Sequence, residues 1–196
     1  MKKIIPYLII IAIILSVVGF TLTINAPNDA KTQYFCDYKH VTLDMEVDVE
    51  NMSGEKMYNI NGEVFSAYED DLAMSNMDGE TVRHTNDIYN LITQNEHVIY
   101  SNDGLMYSCD GKIKFFADSY VVYDASGNKV ANVDFNMFDT VGIMKDVNGK
   151  TIARYDSALS RKDYIVSIYD GCEIDDESVL MIFASYVSDK RADDSN

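Results

Sequence analysis

Tryptophan is absent from this 196-residue sequence, proline occurs only twice and cysteine three times. With so little proline, few positions forbid a ladder hydrogen bond, so strands can run close together. Cys36, Cys109 and Cys172 lie too far apart in sequence for a CxxC pair, which argues against a zinc knuckle or a dithiol redox centre. In an extracytoplasmic domain one disulfide and one spare thiol are open, with the pairing undetermined; otherwise all three are small buried residues. Basic residues are also scarce, 16 against 32 acidic, for a net charge of −16. A body this acidic is repelled by phosphate backbones and anionic headgroups, and no stretch is both basic and aromatic. Nucleic acid is therefore excluded as a partner.

Catalytic motifs are missing too. There is no GxSxG elbow, and His40, His84 and His97 are scattered without HExxH or HxH spacing, as expected of surface or strand histidines. Gly149-Lys150-Thr151 has the end of a phosphate-binding loop, but Met144 stands where the first glycine is required, so a hairpin turn is the better reading. Thirty-two acids always allow some carboxylate pair, which leaves an acid-using extracytoplasmic hydrolase as an alternative, but no pair stands out. No catalytic, cofactor-binding or metal-binding residue is assigned, and the chain is expected not to be an enzyme.

What is present begins with the N-terminus. Met1–Lys3 is short and positive. Ile4–Ile24 then runs 21 residues with no ionisable group but the Tyr7 phenol, long enough at about 1.5 Å per residue to cross a hydrocarbon core of about 30 Å. A cleaved signal would have a shorter apolar region and a small-x-small site. Ala26 fits such a site, but Ile24 two residues before it does not. The expectation is an uncleaved single-pass anchor at the cell membrane with the body outside the cytoplasm. The alternative is secretion after cleavage near Ala26. Residues 25–40 read as a linker and 41–196 as the domain.

Apolar residues make up 47% of the chain and tyrosines number 14, which suits pleated faces with wet hydroxyls. Val41, Leu43, Met45, Val47 and Val49 alternate with polar residues, the strongest strand signal. The intervening row Asp44, Glu46, Asp48 and Glu50 invites a calcium reading. Same-face neighbours are about 7 Å apart, which suits one ion poorly, so a solvent face is expected. Beyond it, short strands alternate with turn signals: Asn61-Gly62, Asp78-Gly79, Asp103-Gly104, Asp110-Gly111, Ser126-Gly127 and Asn148-Gly149. Strand-like flanks include Val64-Phe65, Val98–Tyr100, Ile113–Phe116, Tyr120–Tyr123, Lys129–Val133, Thr151–Tyr155 and Tyr164–Tyr169. Leu72–His84, Tyr120–Val133 and Val141–Tyr155 look alike, as recurring hairpin chemistry produces. About a dozen close strands predict a barrel or sandwich. Asn86–Gln94 is expected to hold a helical turn or two. Glu177–Val187 predicts a helix with no polar face, buried on all sides, behind Asp175 and Asp176 and ahead of Lys190 and Arg191. A fully buried strand is the competing reading there.

About a dozen hairpin-linked strands ending in a short apolar helix resemble the LURP-one-related proteins of the tubby C-terminal-like superfamily. The stretches that carry the resemblance are Met57–Phe65, Met74–Val82, Tyr120–Val133, Asp146–Tyr155 and Asp163–Asp189. The resemblance implies a mainly β fold, a twelve-stranded antiparallel barrel around a hydrophobic C-terminal helix, here preceded by the transmembrane helix. It implies no shared catalytic residues and no cofactor. Tubby proteins bind phosphoinositide headgroups through basic side chains and scramblases act at membranes. This sequence departs from the first pattern, having no Lys/Arg cluster. The expected function is a membrane-anchored, non-enzymatic binding or scaffold domain for an unknown protein or small ligand. The alternative is a lipid-interacting barrel.

Overall fold

The computed structural model describes residues 24, 26–41, 44–63, 71–88, 96–112, 118–158 and 163–194. Twelve strands follow one another along the chain. They are β1 (Thr32–Val41), β2 (Asp44–Asn51), β3 (Lys56–Glu63), β4 (Leu72–Asn76), β5 (Thr81–Ile88) and β6 (Glu96–Ser101). Then come β7 (Gly104–Lys112), β8 (Ser119–Asp124), β9 (Lys129–Phe135), β10 (Val141–Asp146), β11 (Thr151–Ser157) and β12 (Tyr164–Ile168). Each pairs antiparallel with the next, and β1 pairs with β12 through Tyr34↔Val166 and Cys36↔Tyr164, so the sheet closes into a barrel without edges. The chain ends in one helix, α1 (Asp176–Asp194). The expected twelve-stranded barrel with a C-terminal helix is the architecture found. The proposed anchor lies outside the described residues. Among those described, no helix is long and apolar enough to cross a membrane.

Period-two alternation sends every second side chain into the lumen. Tyr34, Cys36 and Tyr38 of β1, Met45, Val47 and Val49 of β2, and Tyr164, Val166 and Ile168 of β12 are all buried. The lumen is filled by α1, in which every residue from Ser178 to Ser188 is buried. That is why Val179–Phe183 carries no polar face. A helix wrapped by strands has no side that meets water. The helix reading of this segment holds, and the helix runs further than Glu177–Val187 to Asp194.

Four details of the sequence reading are corrected. The run from Val41 to Val49 is two strands: Val41 closes β1 and pairs with Asp44 of β2, so one alternation spans both sides of a hairpin. Residues 32–40, read as linker, belong to β1; their lumenal residues Tyr34, Cys36 and Tyr38 are amphipathic and disguise the period. Asn61-Gly62 and Asp110-Gly111 lie inside β3 and β7. Gly62 answers to space, because a Cβ there would overlap the Leu72 side chain and sit 2.9 Å from the Asp71 carbonyl. Asn86–Ile88 is the end of β5; residues 89–94, like Val64-Phe65 and Ile113–Phe116, lie outside the described residues.

The three look-alike segments are the β4–β5, β8–β9 and β10–β11 hairpins, and β2–β3 is a fourth of the kind. Each loop starts with Asn or Asp whose side-chain oxygen accepts two backbone N–H groups. Asn51 receives Ser53 and Glu55, Asn76 receives Asp78 and Glu80. Asp124 receives Ser126 and Asn128, and Asp146 receives Asn148 and Lys150. The fourth loop residue is a glycine at φ +79 to +84, the left-handed region. The likeness is that of one turn, whose chemistry fixes positions one and four and leaves the second open.

Candidate functional site

A helix threading a barrel needs its polar ends satisfied at both rims. Rim A carries the β2–β3, β4–β5, β6–β7, β8–β9 and β10–β11 hairpins, the start of β1 and the connector into α1. Rim B carries the opposite strand ends and the helix C-terminus.

At rim A, Asp175 caps α1 by accepting the Ser178 N–H at 2.9 Å. Arg83 of β5 donates to Asp175 at 2.9 Å. The Tyr34 hydroxyl donates to Asp176 at 2.8 Å and the Tyr58 hydroxyl to Glu177 at 2.9 Å. Burial, together with Glu177, pushes the Tyr58 phenol up to about 12, so it stays a donor. Three acids at a helix N-terminus also oppose the dipole's positive end.

At rim B, His97 Nε2 lies 2.8 Å from Asp189 Oδ2, and the Tyr120 hydroxyl donates to the same oxygen at 2.8 Å. Lys190 pairs with Asp118 and reaches Asp139 at 3.8 Å. His97 is buried on β6, its ring tilted 54° to that of Tyr120 with centres 5.7 Å apart. His84 is exposed on β5 against Tyr100, and His40 lies on β1. Histidine, tyrosine and aspartate together have the makings of proton transfer, but both hydrogen bonds to Asp189 join a strand to α1. They hold the helix end in place.

Between the rims the lumen is aromatic. Phe135 stacks on Tyr186 with ring centres 3.4 Å apart, and Phe183 stacks on Tyr155 at 5.7 Å. Phe135 also meets Phe183 edge-on at 6.2 Å. Burial and Asp139 push the Tyr186 phenol well above its ordinary range. Cys36 and Cys109 lie in the core and Cys172 in the β12–α1 connector; no disulfide is formed among the described residues. Burial pushes the Cys36 thiol far up, so it is a poor nucleophile. The buried hydroxyls of Ser119, Ser185 and Ser188 make no hydrogen bond among the described residues, and nothing in the structure explains them.

The carboxylate row of β2 lies on the outer wall, but Asp48 is only 5% exposed. Lys39 and Lys56 pair with it and Asn59 donates at 3.0 Å. Burial alone would raise its pKa; these bonds outweigh burial and hold it at about 2, against an ordinary 3.8. Among the described residues no group of three or more His, Cys, Asp or Glu side chains could hold a metal ion. Because the folded pKa lies below the unfolded one, Asp48 adds stability above about pH 4 that is lost as pH falls toward 2. Asp48→Asn should cost about 2 kcal/mol at pH 7, at about 1.4 kcal/mol per pH unit. Urea unfolding at several pH values should show the gap from wild type closing between about pH 4 and 2.

Sequence reasoning assigned no site residue, and it missed the clamps. Asp175 and Asp176 were legible as the helix start. Their partners Arg83, Tyr34 and Tyr58 come from other strands, as does His97 for Asp189. The one available signal was the burial itself: a helix without a polar face must have its charged ends matched by the surrounding wall.

No family model matches the chain, and no curated protein matches it. Among solved structures, an X-ray structure of a protein from Arabidopsis thaliana is similar, with a TM-score of 0.56 at 8% identity. The match covers 83% of this chain and 93% of that one. At that identity the likeness establishes the fold class alone: a closed antiparallel barrel around its own C-terminal helix.

Proposed function

We propose that this chain is a membrane-tethered, non-enzymatic barrel that interacts with lipid, related to the LURP-one-related and tubby-like proteins. The observation that carries the reading is the filled lumen. α1 occupies the space in which an ordinary small barrel would hold a ligand. A partner therefore meets the rims or the outer wall, and the apolar run Ile4–Ile24 supplies the attachment to a bilayer. The combination supports the lipid-interacting alternative over a scaffold for a soluble ligand. Scarcity of basic residues argues against phosphoinositide headgroups as the target.

The test is fractionation of the full chain and of a variant lacking residues 4–24. The full chain should stay with membranes after alkaline carbonate extraction and the variant should be released. Both should show no turnover on esterase, phosphatase and glycosidase substrates. Release of the full chain by carbonate would contradict the tether, and reproducible turnover would contradict the non-enzymatic reading.

A further inference from the structure

Rim A combines two features the tether alone does not explain. The first is what stands at the open second position of its turns. That position takes Met52 in β2–β3, Met77 in β4–β5, Ala125 in β8–β9 and Val147 in β10–β11. Met52 and Met77 are each 59% exposed and Val147 61%. Leu105, just past the β6–β7 turn, is exposed as well. Turn chemistry asks for nothing apolar there, yet large apolar side chains recur at the tips of one rim. Singly they would mean little; as a ring on one end of a barrel they form a surface.

The second feature is where the chain enters. The Lys31 N–H donates to the Ile168 carbonyl at the rim A end of β12, and the Gln33 side chain donates to the Pro27 carbonyl. Residues 27–33 are thus held against the β1–β12 pair at rim A. From Pro27 back to Ile24 is three residues, which span at most about 10 Å. The β2–β3 and β10–β11 hairpins, bearing Met52 and Val147, are those flanking this entry in strand order.

We infer that rim A rests on the bilayer, with Met52 and Val147 inserted between headgroups and Met77 and Leu105 following around the ring. The inference rests on the tether proposed above and adds which face meets lipid and which lipid it accepts. Glu55, Asp78, Glu80, Asp103, Asp124 and Asp146 stand beside the tips and outnumber the lysines of the same turns, Lys56, Lys129 and Lys150. Hydrogen bonds within the turns, Asn128 to Asp124 and Lys150 to Asp146, hold two of these carboxyls below their ordinary range, so they stay charged. Interfacial insertion adds apolar burial to electrostatics, and here the second opposes anionic lipid. The surface is matched to zwitterionic headgroups. Met137 and Phe138 are also exposed, but on the β9–β10 turn at rim B, a strand length away from the entry.

The test uses the full chain in phosphatidylcholine nanodiscs, with Cys172→Ser to remove the half-buried thiol. An environment-sensitive fluorophore is placed in turn at Met52→Cys, Val147→Cys and Met137→Cys, and spin-labelled lipid is the quencher. Probes at 52 and 147 should be quenched at least about twofold more than the probe at 137, as insertion to headgroup depth requires. Adding phosphatidylserine should reduce that quenching, and salt should restore it. Co-elution with the discs but equal quenching at all three positions overturns the docking and leaves the tether. Failure to co-elute overturns both. Stronger quenching with phosphatidylserine overturns the zwitterionic assignment.

Discussion

Phe183→Ala should lower the stability of the domain by about 3–5 kcal/mol, the usual range for deleting a buried aromatic ring. The ring sits in the middle of α1, fully buried, stacked on Tyr155 and edge-on to Phe135. Two helix ends are clamped, by Arg83 and two tyrosines at rim A and by His97, Tyr120 and Lys190's partners at rim B. A pinned helix cannot slide to close the cavity, so collapse is limited and the cost should fall toward the upper part of the range. Denaturant unfolding of wild type and variant gives the value from the midpoints. The outcome decides whether α1 is the core or an appendage: a change below about 1 kcal/mol is what a surface helix would give.

Gly142→Ala should destabilise by about 3 kcal/mol, although alanine is the smaller insult on paper. Gly142 of β10 lies opposite Phe135 of β9 and Tyr155 of β11. A Cβ there would stand 2.5 Å from the Phe135 ring. That ring cannot retreat freely because Tyr186 stacks on it. Overpacking of a wedged ring is costly, typically about 1–3 kcal/mol and more where nothing yields. The backbone at Gly142 is ordinary, so space alone is at issue. Phe135→Leu in the same chain should recover part of the loss, since it removes the ε and ζ ring carbons that the new methyl meets. The double-mutant cycle then reads the coupling directly. Additive effects would place the glycine's role elsewhere.

These two residues also show what can be read from sequence. The helix was legible as the leading reading, from five successive apolar residues behind two aspartates and ahead of two basic residues, with a fully buried strand as its competitor. The hairpins at Asp78-Gly79, Ser126-Gly127 and Asn148-Gly149 declared themselves through turn chemistry that acts locally. Gly62 stands behind the same kind of turn signal, yet it serves packing, as Gly142 does. Telling them apart requires knowing that Leu72 or Phe135 lies across the ladder, which is information from a neighbouring strand. β1 was hidden for a related reason, since Tyr34, Cys36 and Tyr38 are lumenal residues of types that also occur on surfaces. The carboxylate row shows the limit of face assignments: Asp48 does face outward, but lysines from β1 and β3 cover it. The clamps at the helix ends bring together residues 92 positions apart, as with Arg83 and Asp175 or His97 and Asp189, and no local pattern encodes them.

The lumen filled by α1 is the feature on which the functional reading turns, because it sends any lipid to the rim and not to the interior. Amide hydrogen exchange of the full chain, with and without phosphatidylcholine bilayers, tests it most directly. Amides of residues 178–188 should be among the slowest to exchange and should remain so in lipid, while those of the hairpins around 52 and 147 slow on the bilayer. Faster exchange across 178–188 on adding lipid would mean that lipid displaces the helix from the barrel, and would contradict the account.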